Sequence, residues 1–217
     1  MSWKQMGGLT AALLLIVNTA NAAPMMRITE WMYSGTNGEF IEFTNVGSSP
    51  IDMNGWSFDD DSQTPSTVDL SGFGTVAAGE SVILTEVPAA DFRTSWGLSA
   101  SVKIVGDNTA NLGRNDEINL FDATNSVVDR LTYGDQTFPG TVRTQNVSGN
   151  FPLVALGTNA PSQAVLSSVG DSYASYSSAG GDIGNPGTYA PATVPEPSSL
   201  ALLLAAISIG GSRRRRS

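Results

Sequence analysis

The sequence predicts an all-β body, a sandwich or a barrel, held between two ends of different character. Three observations predict it. The interior is rich in Gly, Ser, Thr and Asn and holds no long apolar stretch of 3.6-residue period. It breaks into short runs in which apolar and polar residues alternate, as half-buried strands do. Clusters of turn residues separate those runs.

The chain opens on "MSWKQMGGLTAALLLIVNTANAAP". Lys4, an apolar stretch from Met6 to Val17 and the small-x-small pattern Ala20-Asn21-Ala22 follow the order of a secretory signal peptide. Residues 1–22 are therefore expected to be a leader, cut after Ala22. The strand-like runs come next: 26–33, 39–46, 51–60, 81–88, 101–106, 116–123 and 126–134. In the second run Ile41 and Phe43 fall on one face and Glu42 and Thr44 on the other; Ile118 and Leu120 oppose Glu117 and Asn119 in the same way. Thr36-Asn37-Gly38, Val46–Pro50 and Ala123-Thr124-Asn125 supply turns. One short helix is expected over 88–97, with Pro88 suited to a first turn. The pairing of 135–170 is left open.

The last 24 residues, "VPEPSSLALLLAAISIGGSRRRRS", begin within a Pro/Ser-rich linker at 190–199 that holds the Pro-Glu-Pro motif. An apolar helix over 198–212 spans about 22 Å, short against a hydrocarbon core of ~30 Å. Arg213, Arg214, Arg215 and Arg216 would stay on the cytoplasmic side. The topology is then leader out, body outside, tail tip inside.

Composition narrows the function. With Lys4 and the tail arginines set aside, 6 basic residues face 20 acidic ones, a body of net charge −14. Such a surface repels phosphate backbones, so nucleic acid is not an expected partner. Cysteine and histidine are both absent, which removes disulfides, the commonest general base near neutral pH and the commonest transition-metal ligand.

Asp59, Asp60 and Asp61 in "SFDDDSQ" are candidate Ca²⁺ ligands, since calcium takes six to eight oxygens. The alternative is a solvated acidic turn, because adjacent carboxylates alternate sides on an extended chain. "DNTANLGRNDE" has Asp107, Thr109 and Asn111 in calcium-loop positions, but Gly113 arrives one place late and Ile118 stands where the bidentate Glu belongs, so a plain turn is expected. "GFGTVA" fits a nucleotide fingerprint by letter, yet a strand follows it where a helix is required. Trp31, Trp56 and Trp96 are candidates for a sugar-stacking platform; core positions are the plainer reading, with Trp56 a buried anchor after Gly55. Asn146-Val147-Ser148 is a glycosylation sequon by pattern alone. None of the nucleophile-elbow, zinc-protease, P-loop or thiol signatures occurs, and a carboxylate-pair hydrolase would leave no mark among 20 acids. An enzyme is not expected.

Two family resemblances add to these readings. Val194, Pro195, Glu196 and Pro197, then the apolar helix, then the arginine cluster, resemble a PEP-CTERM sorting signal. That resemblance implies export by the Sec machinery in a Gram-negative-type bacterium, passage through the inner membrane and cleavage of the tail by an exosortase. The body resembles the lamin tail domain, an immunoglobulin-like β-sandwich. It does so in "RITEW" with "GEFIEFTNVGSSPIDMNGWSFDDD", in "VAAGESVILT", in "RNDEINLFDATNSVVDRLTYGD" and in "GDSYASYSSAGGDIGNPGTY", together covering roughly 26–189. The expected molecule is a non-catalytic surface or extracellular-matrix protein, without a cofactor, that binds exopolysaccharide or other surface proteins. A Ca²⁺-dependent carbohydrate-binding adhesin is the alternative, and a carboxylate-pair hydrolase is disfavoured.

Overall fold

The computed structural model describes residues 25–137 and 140–189. The leader with Ala20 and Ala22, the linker, Val194–Pro197, the apolar helix and Arg213–Arg216 lie outside the described residues. Among the described residues no helix is long and apolar enough to cross a membrane.

In chain order the elements are β1 (Met26–Met32), β2 (Phe40–Asn45), β3 (Ile51–Asp52), β4 (Ser57–Asp59), β5 (Val68–Asp69), β6 (Thr75–Val76), β7 (Ser81–Thr85), α1 (Ala89–Trp96), β8 (Lys103–Val105), β9 (Asn115–Phe121), β10 (Val127–Gly134), β11 (Gly149–Asn150), β12 (Val165–Leu166), β13 (Tyr176–Ser177) and β14 (Ile183–Gly184). A six-stranded sheet has the order β12-β11-β1-β2-β7-β8, and a four-stranded sheet the order β10-β9-β4-β5. They enclose one apolar core: Met26, Ile28, Trp31, Ile41, Phe43 and Leu84 from the first face Phe58, Ile118, Leu120 and Leu131 from the second. The body is a β-sandwich, as its alternating runs require.

The expected strand 51–60 is two strands in different sheets. The chain turns between them at Gly55, whose φ of +77° is costly for a residue with a Cβ, and the Trp56 amide donates to the Met53 carbonyl (3.0 Å). β3 pairs with β6 and β4 with β9. The open segment 135–170 supplies β11 and β12, which extend the six-stranded sheet beyond β1.

β1 carries a bulge. Ile28 pairs with Phe43 but Glu30 with Glu42, so Thr29 is the extra residue and the facing of every later side chain is reversed. Trp31 thereby enters the core beside Phe151 (5.2 Å, stacked), and Glu30 and Met32 go to the outer face. β10 has a matching irregularity between Val127 and Asp129. Asp129 reaches across the sandwich to accept the Ile28 amide at 2.9 Å, tying the two irregularities together.

The outer face of the six-stranded sheet is covered as well. α1 lays Phe92 and Trp96 on Met32, Phe40 and Ile83, and ends at Gly97 in a left-handed conformation. The Tyr176 hydroxyl, from the β13–β14 hairpin, donates to the Trp96 carbonyl at 3.0 Å. With both faces covered, all six residues of β2 are buried.

Candidate functional site

The most unusual chemistry of the fold lies between the outer face of the sheet and the chain that folds over it. Register sets Glu30 of β1 between Glu42 of β2 and Asn150 of β11, so three polar side chains form a row across three strands. None of the three is exposed. Two directed hydrogen-bond chains end on the carboxyls. In one, the Tyr189 amide donates to Ser81 Oγ (3.2 Å) and Thr29 Oγ1 to Glu42 Oε1 (2.7 Å); with the Thr29 proton so used, Thr44 donates to Thr29 (2.8 Å) and Ser81 to Thr44 (2.7 Å). In the other, Asn150 Nδ2 donates to Ser167 Oγ (2.9 Å), Ser167 to Ser148 Oγ (2.7 Å) and Ser148 to Glu30 Oε1. The amides of Gly187 and Asn185 add donors to Glu42 Oε2 (2.7 Å) and Glu30 Oε1 (2.8 Å).

The two acids are not satisfied alike. Both oxygens of Glu42 have donors, whereas Glu30 Oε2 and its neighbour Asn150 Oδ1 have none. A proton on Glu30 Oε2 supplies the row with a donor and removes one of two adjacent buried charges. Burial pushes Glu42 up to about 7, against the hydrogen bonds it accepts. Burial and the neighbouring Glu42 carry Glu30 well above the usual carboxylate range. Glu39, at the entrance to β2, is raised to about 8 by burial; its Oε2 accepts the Leu112 amide at 2.7 Å and its Oε1 is unpartnered.

The lid over this layer is residues 171–189, which follow the sheet strands β11 and β12. Its Asp182 accepts the amides of Thr36 (3.0 Å) and Asn37 (2.9 Å) in the β1–β2 turn, and Asn37 Oδ1 accepts the Ser178 hydroxyl (2.9 Å) in return. Gly184 permits the close fit: a Cβ there would lie 2.7 Å from Glu30 Oε1 and 2.9 Å from Ser148 Oγ. The sequence placed Glu42 on the polar face of its strand but gave no sign that this face is covered. Glu30, Asn150 and Asn185 carried no signal at all, because they meet only after the bulge and the lid are in place.

The acids expected from sequence are used locally. Asp59 is buried and accepts the Ser62 hydroxyl and the Thr64 amide. Burial alone would raise it, but these bonds outweigh burial and leave it below its ordinary value. Asp60 accepts the Ser62 amide and Asp61 is exposed. Among the described residues no group of three or more acidic side chains is placed to hold a metal ion. In the 107–117 loop, Asn108 Oδ1 accepts the Ala110 amide and Asp116 Oδ2 the Gly113 amide, as in a plain turn. Trp31 and Trp96 are buried on opposite faces of the sheet, so they form no platform. Trp56, expected as a buried anchor, is only half-buried at the core margin, and Trp31 is the largest fully buried side chain among the described residues. Asn146 of the sequon donates to Asp182 (3.0 Å) and its Ser148 is buried against Glu30.

An open groove of about 350 Å³ lies where the lid meets the β7 end of the sheet. Glu80, Ser81, Ser101, Val102, Thr188 and Tyr189 line it, an aromatic ring among hydroxyls and one carboxylate.

No curated protein matches the chain. A family model described as Lamin Tail Domain matches residues 19–135, more than half of the sequence. That span runs from before β1 to the end of β10, and the lid lies beyond it.

Proposed function

The chain belongs to the lamin tail domain family, and from that premise we propose that it is an exported, non-catalytic component of the cell surface or extracellular matrix. Its PEP-CTERM tail addresses it there, and an exosortase removes the tail. The supporting observation is the order Val194-Pro195-Glu196-Pro197, apolar run, Arg213–Arg216, which a packed domain does not need. The leader at 1–22 with Ala20 and Ala22 agrees with it. The closely paired acids Glu30 and Glu42 are sealed beneath the lid, which favours a structural or binding role over hydrolysis. Fold alone assigns no ligand.

The test is the intact mass and cell fraction of the protein from its host, with and without the exosortase. A secreted form ending between Pro195 and Ser199 is expected, and its disappearance when the exosortase is removed. A mature protein that keeps Arg213–Arg216 in the inner membrane of normal cells would overturn the sorting reading.

The groove beside Tyr189 favours a second reading, a carbohydrate-binding adhesin, since a ring among hydroxyls suits stacking on a sugar. A saturable rise in melting temperature with matrix polysaccharide, lost in Tyr189→Ala, would support it. Repeating the titration with calcium and with a chelator decides whether Ca²⁺ takes part. A response that Tyr189→Ala leaves intact rules the groove out.

A further inference from the structure

We infer that two copies of this chain pair edge to edge through β12, in an antiparallel arrangement with Leu166 on the twofold axis. Of the six exposed large apolar side chains among the described residues, five are Leu153, Val154, Val165, Leu166 and Val169. Val154 is 82% exposed and Val169 65%. Val165 and Leu166 make up β12, Val169 follows it, and Leu153 and Val154 lie in the turn after the neighbouring strand β11; β12 is the outermost strand of the six-stranded sheet.

Charge identifies the occupant. Residues 144–170 contain no Asp, Glu, Lys or Arg, while the body as a whole carries net charge −14. Two copies of so acidic a molecule repel one another over most of their surface. The uncharged edge is the place where they can close without setting carboxylate against carboxylate. Edge strands are normally guarded by charged side chains, and the other three outer strands of the two main sheets carry them. β8 has Lys103, β5 has Asp69, and β10 has Asp129 and Arg130. β12 has only Val165 and Leu166.

Hydrogen bonding fixes the register. The Ser167 amide donates inward to the Ser148 carbonyl (2.9 Å), so by alternation the N–H and C=O of Leu166 point to the free edge. A twofold through that point lets Leu166 exchange both bonds with Leu166 of the second copy. The interface is isologous and closes at two chains.

The chain has no cysteine, so Leu166→Cys in the full chain places its only thiol on the proposed axis. Facing positions of an antiparallel pair are within disulfide reach. Thr124→Cys, exposed in the β9–β10 turn, is the control. Mild oxidation of host cells should give a disulfide-linked dimer about tenfold more abundant for Leu166→Cys than for Thr124→Cys. Adding Val154→Glu to the Leu166→Cys chain should cut the yield by a similar factor, the equivalent of about 1.4 kcal/mol. Equal cross-linking of the two thiols, indifference to Val154→Glu, or capture of a different protein by the Leu166 thiol would each overturn the inference. Sedimentation of the unsubstituted chain is the check that needs no variant: a dimer is expected, and a monomer at the highest concentration reached overturns it.

Discussion

Glu30 has an oxygen without a donor and Glu42 does not, which makes the two acids separable by substitution. Glu30→Gln keeps an acceptor for Ser148 and places an N–H where Oε2 lacks a partner. It should stabilise the protein at pH 8 by about 1–3 kcal/mol, the usual cost of an unsatisfied buried group. Glu42→Gln puts an amide N–H against the Gly187 amide or the Thr29 hydroxyl, both donors. A loss of similar size is expected there. The pH dependence follows from the same carboxyls. Glu30, Glu39 and Glu42 have folded-state values above their unfolded ones, so the folded state binds more protons. Their contribution is fully present below the unfolded value of 4.5 and is lost as pH rises through about 7 for Glu42 and about 8 for Glu39. Asp59, Asp135 and Asp171 are shifted the opposite way, so their contribution is lost as pH falls below 3.8. Melting temperature should therefore peak in mild acid and decline from about pH 5 to pH 8, with a shallower decline in Glu30→Gln. A curve rising to pH 8 would contradict the assignment.

At the scale of elements, the longer strands were legible because each alternates or bears β-branched residues between turn formers, whereas two-residue strands such as β5, β6, β13 and β14 carry no such pattern. β2, β9, β10 and α1 fall within a residue or two of the expected runs. Facing was less legible. Strict alternation in "MRITEWM" sets Glu30 on the face of Met26 and Ile28, and only the bulge at Thr29 separates them. Nothing in the local sequence marks a bulge whose purpose is to bring Trp31 against Phe151, 120 residues away. Trp56 attracted the anchor role because it follows Gly55, but its turn stands at the rim of the sandwich. The packing around Trp31 gives a direct test. A Cβ on Gly149 would lie 2.7 and 2.8 Å from ring carbons of Trp31 and 2.9 Å from Thr144 Cγ2. Gly149→Ala should cost about 1–3 kcal/mol in urea unfolding, as overpacked cores do. A variant as stable as the parent would mean that Trp31 has room to move.

For the whole molecule, the residues matched by the family model do not make a closed unit. Phe151, Ala155 and Ala164, all beyond that span, complete the main core, and Ser148, Asn185 and Gly187 satisfy the buried acids. A chain ending at residue 135 should lose cooperative unfolding and bind a hydrophobic dye, while one ending at 189 should keep its transition. Equal cooperativity in the two would show everything beyond residue 135 to be dispensable. This dependence was the least legible part of the sequence, since residues 135–170 form short pairs set by contacts from far along the chain. The same dependence has a kinetic consequence. Glu30 accepts the amide of Asn185, 155 residues further on. At about 5–20 residues per second the ribosome takes roughly 8–30 s to cover that distance, and contacts so remote in sequence also form slowly. Until the last strand pair emerges the first strand has no cover for its acid, so the nascent chain stays open and threadable for most of its synthesis. That is the condition in which a protein proposed to leave the cell must meet its export channel.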